Sequence, residues 1–107
     1  MREECIIVLV TAADDDEARL IARVLLEQKK AACVNIVSGV VSLFRWQGKT
    51  EQTNESLLVI KTSQPLLAEV MALVKEMHSY ENPEIIALPV IGGSSQYLDW
   101  IDKEVRK

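Results

Sequence analysis

Four extended apolar segments alternate with two helical ones along this chain, and their order constrains the fold more than any other feature. "CIIVLV" (5–10) is continuous, rich in β-branched residues and too short for a typical helix, which predicts a buried strand. Beyond Thr11, the acidic cluster Asp14, Asp15, Asp16 and Glu17 suits a helix amino end. Ala18, Ile21, Ala22 and Leu25 then recur at helical spacing. The opposite side of that helix carries Arg19, Arg23, Glu27 and Lys30, a solvated face. "ACVNIVSGVVSLFRW" (32–46) predicts a long second strand whose alternation slips around Ser38 and Gly39, as a bulge or bend would make it. Gln47, Gly48 and Lys49 read as a three-residue hairpin loop leading into a third strand that ends in "SLLVIKT" (56–62).

The second half repeats the alternation. Ser63 is expected to cap a helix with Pro65 in its first turn and an apolar stripe of Leu66, Val70, Leu73 and Met77, ending near His78. "EIIALPVI" (84–91) predicts a fourth strand, and Pro89 within it argues for an edge position or the strand's last usable part. Gly92 and Gly93 turn the chain, and Ser94 or Ser95 caps a short third helix with Leu98, Ile101 and Val105 on its apolar side. The order βαββαβ plus a terminal helix is the split βαβ arrangement, an α+β fold. Right-handed crossovers place both main helices on one face of a four-stranded antiparallel sheet.

Such a sheet has a second face, and here the strands are apolar on both sides where a wet face would alternate with polar residues. Each large aliphatic side chain left in water forfeits roughly 1.5–3 kcal/mol, and the third helix is too short to cover the face alone. The sequence therefore implies a homo-oligomer packed through its sheet faces. At 107 residues the chain is expected to form one domain, 1–107. A net charge of −4 argues against nucleic acid as partner. No apolar run reaches membrane-spanning length and no leader pattern opens the chain, so the expectation is no membrane and a cytoplasmic address. Cys5 and Cys33 lack metal-ligand spacing and read as free, buried thiols.

GxGxxG, P-loop, GxSxG and HExxH patterns are absent. The chemistry-bearing side chains are scattered: Trp46, Glu51, Glu55, Lys61, His78, Tyr80, Glu81, Glu84, Tyr97 and Trp100. Lys61 closes the apolar run of a central strand, where a charge is costly unless paired. Glu55 or Glu84 from a neighbouring subunit is a candidate partner, and snorkelling to water is the alternative. His78 suits a helix carboxyl end, where the dipole favours it, or a metal ligand. His78 and Glu84 as an acid–base pair would need a nucleophile or substrate pocket that the sequence does not display.

Taken together, "AACVNI" (31–36), "RWQGK" (45–49), "ESLLVIKT" (55–62), "HSYENPEI" (78–85), "ALPV" (87–90) and "YLDWI" (97–101) resemble the CutA divalent-cation tolerance proteins in order and spacing. The resemblance implies a ferredoxin-like subunit in a tight homotrimer, with the hairpin reaching across subunit boundaries, no enzymatic activity and no required cofactor. It implies a link to divalent metal tolerance, with weak binding of copper or another divalent cation through His78. A similarity to PII signalling trimers adds the alternative of a small anionic ligand held in clefts between subunits, with Lys61 and the Gly92/Gly93 turn as its contacts. The matching positions Cys33, Trp46, Glu55, Lys61, Tyr80, Glu84, Tyr97 and Trp100 are the implied ligand-binding residues. This chain departs from the family pattern at Ser79 and Asn82. It also has Val10 and Met77 where some members carry a cysteine and a second histidine, which leaves one imidazole per chain for copper.

Overall fold

A computed structural model describes residues 2–105. It contains strands β1 (Cys5–Ala12), β2 (Cys33–Trp46), β3 (Lys49–Ser63) and β4 (Ile85–Pro89), and helices α1 (Asp15–Glu27), α2 (Leu67–Met77) and α3 (Ser95–Glu104). The sheet is antiparallel in the order β2-β3-β1-β4, so β1 and β3 are central. The expected split βαβ topology is thus present, with β4 at an edge where Pro89 costs no ladder donor.

Alternation sorts the central strands into two faces. Ile6, Val8, Val10 and Ala12 of β1 lie opposite Thr62, Ile60, Leu58 and Ser56 of β3, and the apolar members of this set are buried. Ala18, Ile21, Ala22 and Leu25 of α1 and Val70 and Val74 of α2 complete the same core. At roughly 25 cal/mol per Å² of apolar area, this single layer of contacts supplies most of the protomer's stability. Helix α1 begins where Asp14 accepts the Glu17 N–H at 2.8 Å, a side-chain cap that satisfies one orphan donor of the first turn.

The slip in β2 is a bulge: the register shifts between Val37 and Val40, leaving Ser38 and Gly39 without cross-strand partners, and Gly39 sits at φ +72°. Asp15 anchors this bulge to α1. Its carboxylate accepts from the Ser38 hydroxyl at 2.8 Å and the Ser56 hydroxyl at 2.5 Å, and the Ser56 and Ser38 bonds together hold its pKa below the ordinary carboxylate value.

Four sequence expectations are corrected. The hairpin loop has two residues, not three: Gln47 and Gly48 have φ 49° and 79°, and Lys49 already pairs with Trp46. Left-handed backbone at both positions is the two-residue turn that matches strand twist. Ser63 does not cap α2. It ends β3, its buried hydroxyl has no partner among the described residues, and a 3-10 turn (Gln64–Leu66) holding Pro65 precedes the helix. Strand β4 is shorter than 84–91, although Val90 N–H still reaches the Cys5 carbonyl at 3.2 Å. At α3, Ser94 takes the cap position without a side-chain hydrogen bond, and of the expected apolar side only Ile101 and Val105 are buried.

The second sheet face carries Ile7, Leu9, Leu57 and Val59, all half-buried, beside the exposed Val37, Ile86 and Leu88. Helix α3 covers one end of it, tied down by Cys5 Sγ–H to the Leu98 carbonyl, by Glu3 N–H to Asp102 at 3.1 Å and by an Arg2–Asp99 ion pair. Beyond the bulge, β2 and β3 continue as an arm that exposes Val41, Leu43, Phe44 and Trp46, with Leu43 66% exposed. The molecule is accordingly elongated, 47 × 26 × 22 Å.

The two apolar sets have different roles, and truncation separates them. Ile60→Ala is expected to cost about 2–5 kcal/mol in urea unfolding because it empties a fully buried site, whereas Leu43→Ala leaves the fold of the protomer within about 0.5 kcal/mol.

Candidate functional site

The implied site residues fall into two groups and two outliers. The first group forms where β1 ends, α1 begins and α2 hands over to the loop before β4. Met77 is the last residue of α2, and His78 caps it, its N–H donating to the Val74 carbonyl at 2.9 Å while its own backbone turns extended. The imidazole then folds inward and its side chain is fully buried. Nε2–H donates to the Thr11 carbonyl at 2.7 Å, and Nδ1 accepts the Tyr80 N–H at 3.0 Å. A carbonyl can only accept and an amide N–H only donate, so these partners select the tautomer protonated at Nε2. Both ring nitrogens are therefore occupied, and a metal at Nδ1 would have to displace the Tyr80 N–H.

Glu17 completes this junction. Its carboxylate accepts from Ala13 N–H and Ser79 N–H, each at 3.1 Å, and lies 3.5 Å from His78 Nδ1. Burial opposes the charged form, but the Ser79 and Ala13 hydrogen bonds outweigh it, so the Glu17 pKa lies below its ordinary value. Ser79 thus contributes through its backbone N–H, a donor that a proline at this position would lack.

With the loop so held, Tyr80 packs its ring 4.7 Å from the imidazole centroid and donates its hydroxyl to Glu55 Oε2 at 2.9 Å. Glu55 is 8% exposed, and Tyr80 is its partner. Burial first, then the hydrogen bond to Glu55 and the charges of Glu55, Glu17 and Asp14, push the Tyr80 phenol up to about 12. Glu55, Glu17 and Asp14 thus all act on Tyr80 in the same sense.

The second group lies at the other end of the same strands, under α3. Cys33 and Lys61 are directly opposite in the β2–β3 register. Lys61 Nζ donates to the Asn35 side-chain carbonyl, the only partner it has among the described residues. Tyr97 reaches over from α3 to Cys33, and partial desolvation, then the Cys33 sulfur's charge and hydrogen bond, raise the Tyr97 phenol above its ordinary value. Trp100, one turn further along α3, stacks with Tyr97 at 5.5 Å and 32°. Both aromatic rings remain exposed.

Trp46 and Glu84 join neither group: Trp46 stands at the arm tip and is 56% exposed, and Glu84 is exposed in the loop before β4. No cluster of three or more histidine, cysteine or carboxylate side chains able to hold a metal ion occurs among the described residues. Sequence reasoning passed over Thr11 and Asn35, and treated Asp15 and Glu17 only as helix-terminal charge. The acidic run 14–17 was the available signal, but its division between cap, bulge anchor and imidazole partner depends on the fold.

The coupling of Tyr80 to Glu55 is measurable. In a Tyr97→Phe background Tyr80 is the sole phenol, and its absorbance-monitored ionisation is expected near 12, falling part of the way towards 10 on Glu55→Gln. An unchanged titration would leave desolvation and the charges of Glu17 and Asp14 as the causes.

Comparison with known proteins follows the same geometry. The family model described as CutA1 divalent ion tolerance protein matches residues 6–104. The chain is 44% identical over 95 residues to the divalent-cation tolerance protein CutA of Thermus thermophilus, covering 89% of this chain and 92% of that protein. It is 43% identical over 101 residues to the chloroplastic protein CutA of Arabidopsis thaliana, covering 94% of this chain but 56% of that longer relative. Among solved structures, CutA1 from Oryza sativa superposes with a TM-score of 0.96 at 40% identity, covering 99% of this chain and 97% of that one. The periplasmic divalent cation tolerance protein CutA from Archaeoglobus fulgidus gives 0.92 at 44% identity, covering 95% and 99%.

Proposed function

Because this chain belongs to the CutA1 family of divalent ion tolerance proteins, we propose that it serves divalent-metal tolerance as a homotrimer that binds rather than catalyses. Its ligand site forms between copies, and copper is the cation. The observation that carries this reading is the unpaired apolar surface: the second sheet face and the arm together expose Val37, Val41, Leu43, Phe44, Trp46, Ile86 and Leu88. A patch of this kind on a small domain marks an interaction surface, and copies of the same chain supply a matching one.

The division of the site residues supports the same reading. Within one protomer, the junction of Glu55, Tyr80 and His78 lacks a cationic side chain, and the group of Cys33, Lys61, Tyr97 and Trp100 lacks a carboxylate. Neither group offers a nucleophile paired with a base, so binding fits better than acid–base chemistry. A neighbour that brings the two groups together would give a site with both signs of charge and an aromatic wall. Copper at His78 has to compete with the Tyr80 N–H, which makes weak binding the expectation. None of the described helices is long and apolar enough to cross a membrane, and the net charge is −4. Absence of membrane and nucleic-acid partners and a cytoplasmic address belong to the proposal; relatives carry chloroplastic and periplasmic names.

Sedimentation at micromolar concentration is expected to give three times the 12.0 kDa chain mass, and a 12.0 kDa species would sink the assembly reading. Copper titration beside His78→Ala tests the metal: weaker binding by the variant supports His78, and equal affinity removes it.

A further inference from the structure

On the body of the sheet, the face turned away from the core carries two charged strand residues. Between positions 55 and 63 of β3 only Glu55 and Lys61 are charged, and alternation places both on that face with Leu57 and Val59. The corresponding positions of the other strands are uncharged: Cys5, Ile7, Leu9 and Thr11 of β1, Cys33, Asn35 and Val37 of β2, and Ile86 and Leu88 of β4. One acid and one base thus stand on an otherwise neutral and largely apolar surface.

Neither has an opposite charge as a partner among the described residues. Glu55, 8% exposed, is hydrogen-bonded to the neutral Tyr80 hydroxyl, and the half-buried Lys61 to the neutral Asn35 amide oxygen. Among the described residues neither takes part in an ion pair. They cannot pair with each other, since six residues of strand separate them by about 20 Å. Each neutral partner orients its charge without compensating it. When a second copy covers this face, both charges lose what water remains, and an uncompensated buried charge opposes the contact.

We propose that Glu55 of one copy receives the Lys61 ammonium of the next, so that the two ends of the face complement one another head to tail and the two half-sites on it become one. The inference rests on the assembly reading above. The occupant is a second copy because the face is apolar, is left exposed beyond α3 at Val37, Ile86 and Leu88, and supplies the missing counter-charge for each of its own ends. A metal ion would neutralise Glu55 but leave Lys61 uncompensated. Tyr80 and Asn35 act as positioning residues, since each holds its charged neighbour by a hydrogen bond. In a cyclic assembly the contact repeats around the ring, one pair per interface.

Zero-length carbodiimide coupling tests the contact, because it condenses a carboxylate with an adjacent amine, with loss of water, only where the two already touch. Coupling a mixture of heavy-isotope and unlabelled protein is expected to yield a Glu55–Lys61 amide joining one heavy and one light peptide. Charge reversal gives the second readout. Glu55→Lys and Lys61→Glu are each expected to raise the concentration needed for assembly at least about tenfold, equivalent to 1.4 kcal/mol, and the doubly reversed chain to recover it. Should a single variant fail to fold by circular dichroism, the parent's cross-link decides. A trimeric parent whose Glu55 couples to Lys49 or to no lysine, or whose folded reversal variants assemble as tightly as the parent, overturns this pairing alone. A monomeric parent overturns the pairing and the assembly reading together.

Discussion

The structure depends on the burial of one face of the β1–β3 pair against α1 and α2. Val8, Val10, Leu58 and Ile60 are fully buried there, packed against Ile21, Leu25, Val70 and Val74. Because side chains alternate across a strand, committing these residues to the core commits Ile7, Leu9, Leu57, Val59, Glu55 and Lys61 to the other face. A one-residue slip of register would exchange the two sets and bury both charges under the helices. The unpartnered face, and the interaction surface proposed on it, follows from how the core is made.

A second constraint acts at the junction of β1, α1 and the loop after α2. Glu17, His78 and the Thr11 carbonyl form a small polar knot in which every hydrogen-bonding group of the imidazole is matched. Buried polar groups are costly when unmatched, so this knot holds the loop in one conformation. That conformation in turn sets Tyr80 on Glu55. Asp15 plays a parallel role at the bulge, where two serine hydroxyls converge on its carboxylate and fix the angle at which the arm leaves the sheet. The acidic run at the start of α1 therefore does more than complement the helix dipole: Asp14 caps, Asp15 anchors the bulge, and Glu17 orients the loop.

Segments with a strong apolar period were legible as strands or helices without coordinates, because that period reflects the burial that forms them. The core positions of α1 and the bulge near Ser38 and Gly39 were legible for the same reason. The errors fell where local chemistry admits more than one solution. Ser63 has the residue type of a helix cap, yet the strand continues through it and a 3-10 turn intervenes. Lys49 looked like loop, yet left-handed backbone at Gln47 and Gly48 closes the hairpin in two residues and returns it to the ladder.

By itself the sequence determined the order of elements, the doubly apolar character of the strands and, through six short motifs, the family, since these reside in residue type and spacing. Only the tertiary structure decided what "HSYENPEI" does, because its partners Thr11, Glu17 and Glu55 lie 67, 62 and 25 positions away from His78, Ser79 and Tyr80. It turned the candidate ligand His78 into the centre of a hydrogen-bonded knot, split most of the remaining site residues between two places on β3, at Glu55 and at Lys61, and left Trp46 and Glu84 apart from both. Linear order carries the period of burial; the pairing of charges across a fold depends on distances that exist only after the chain has closed on itself.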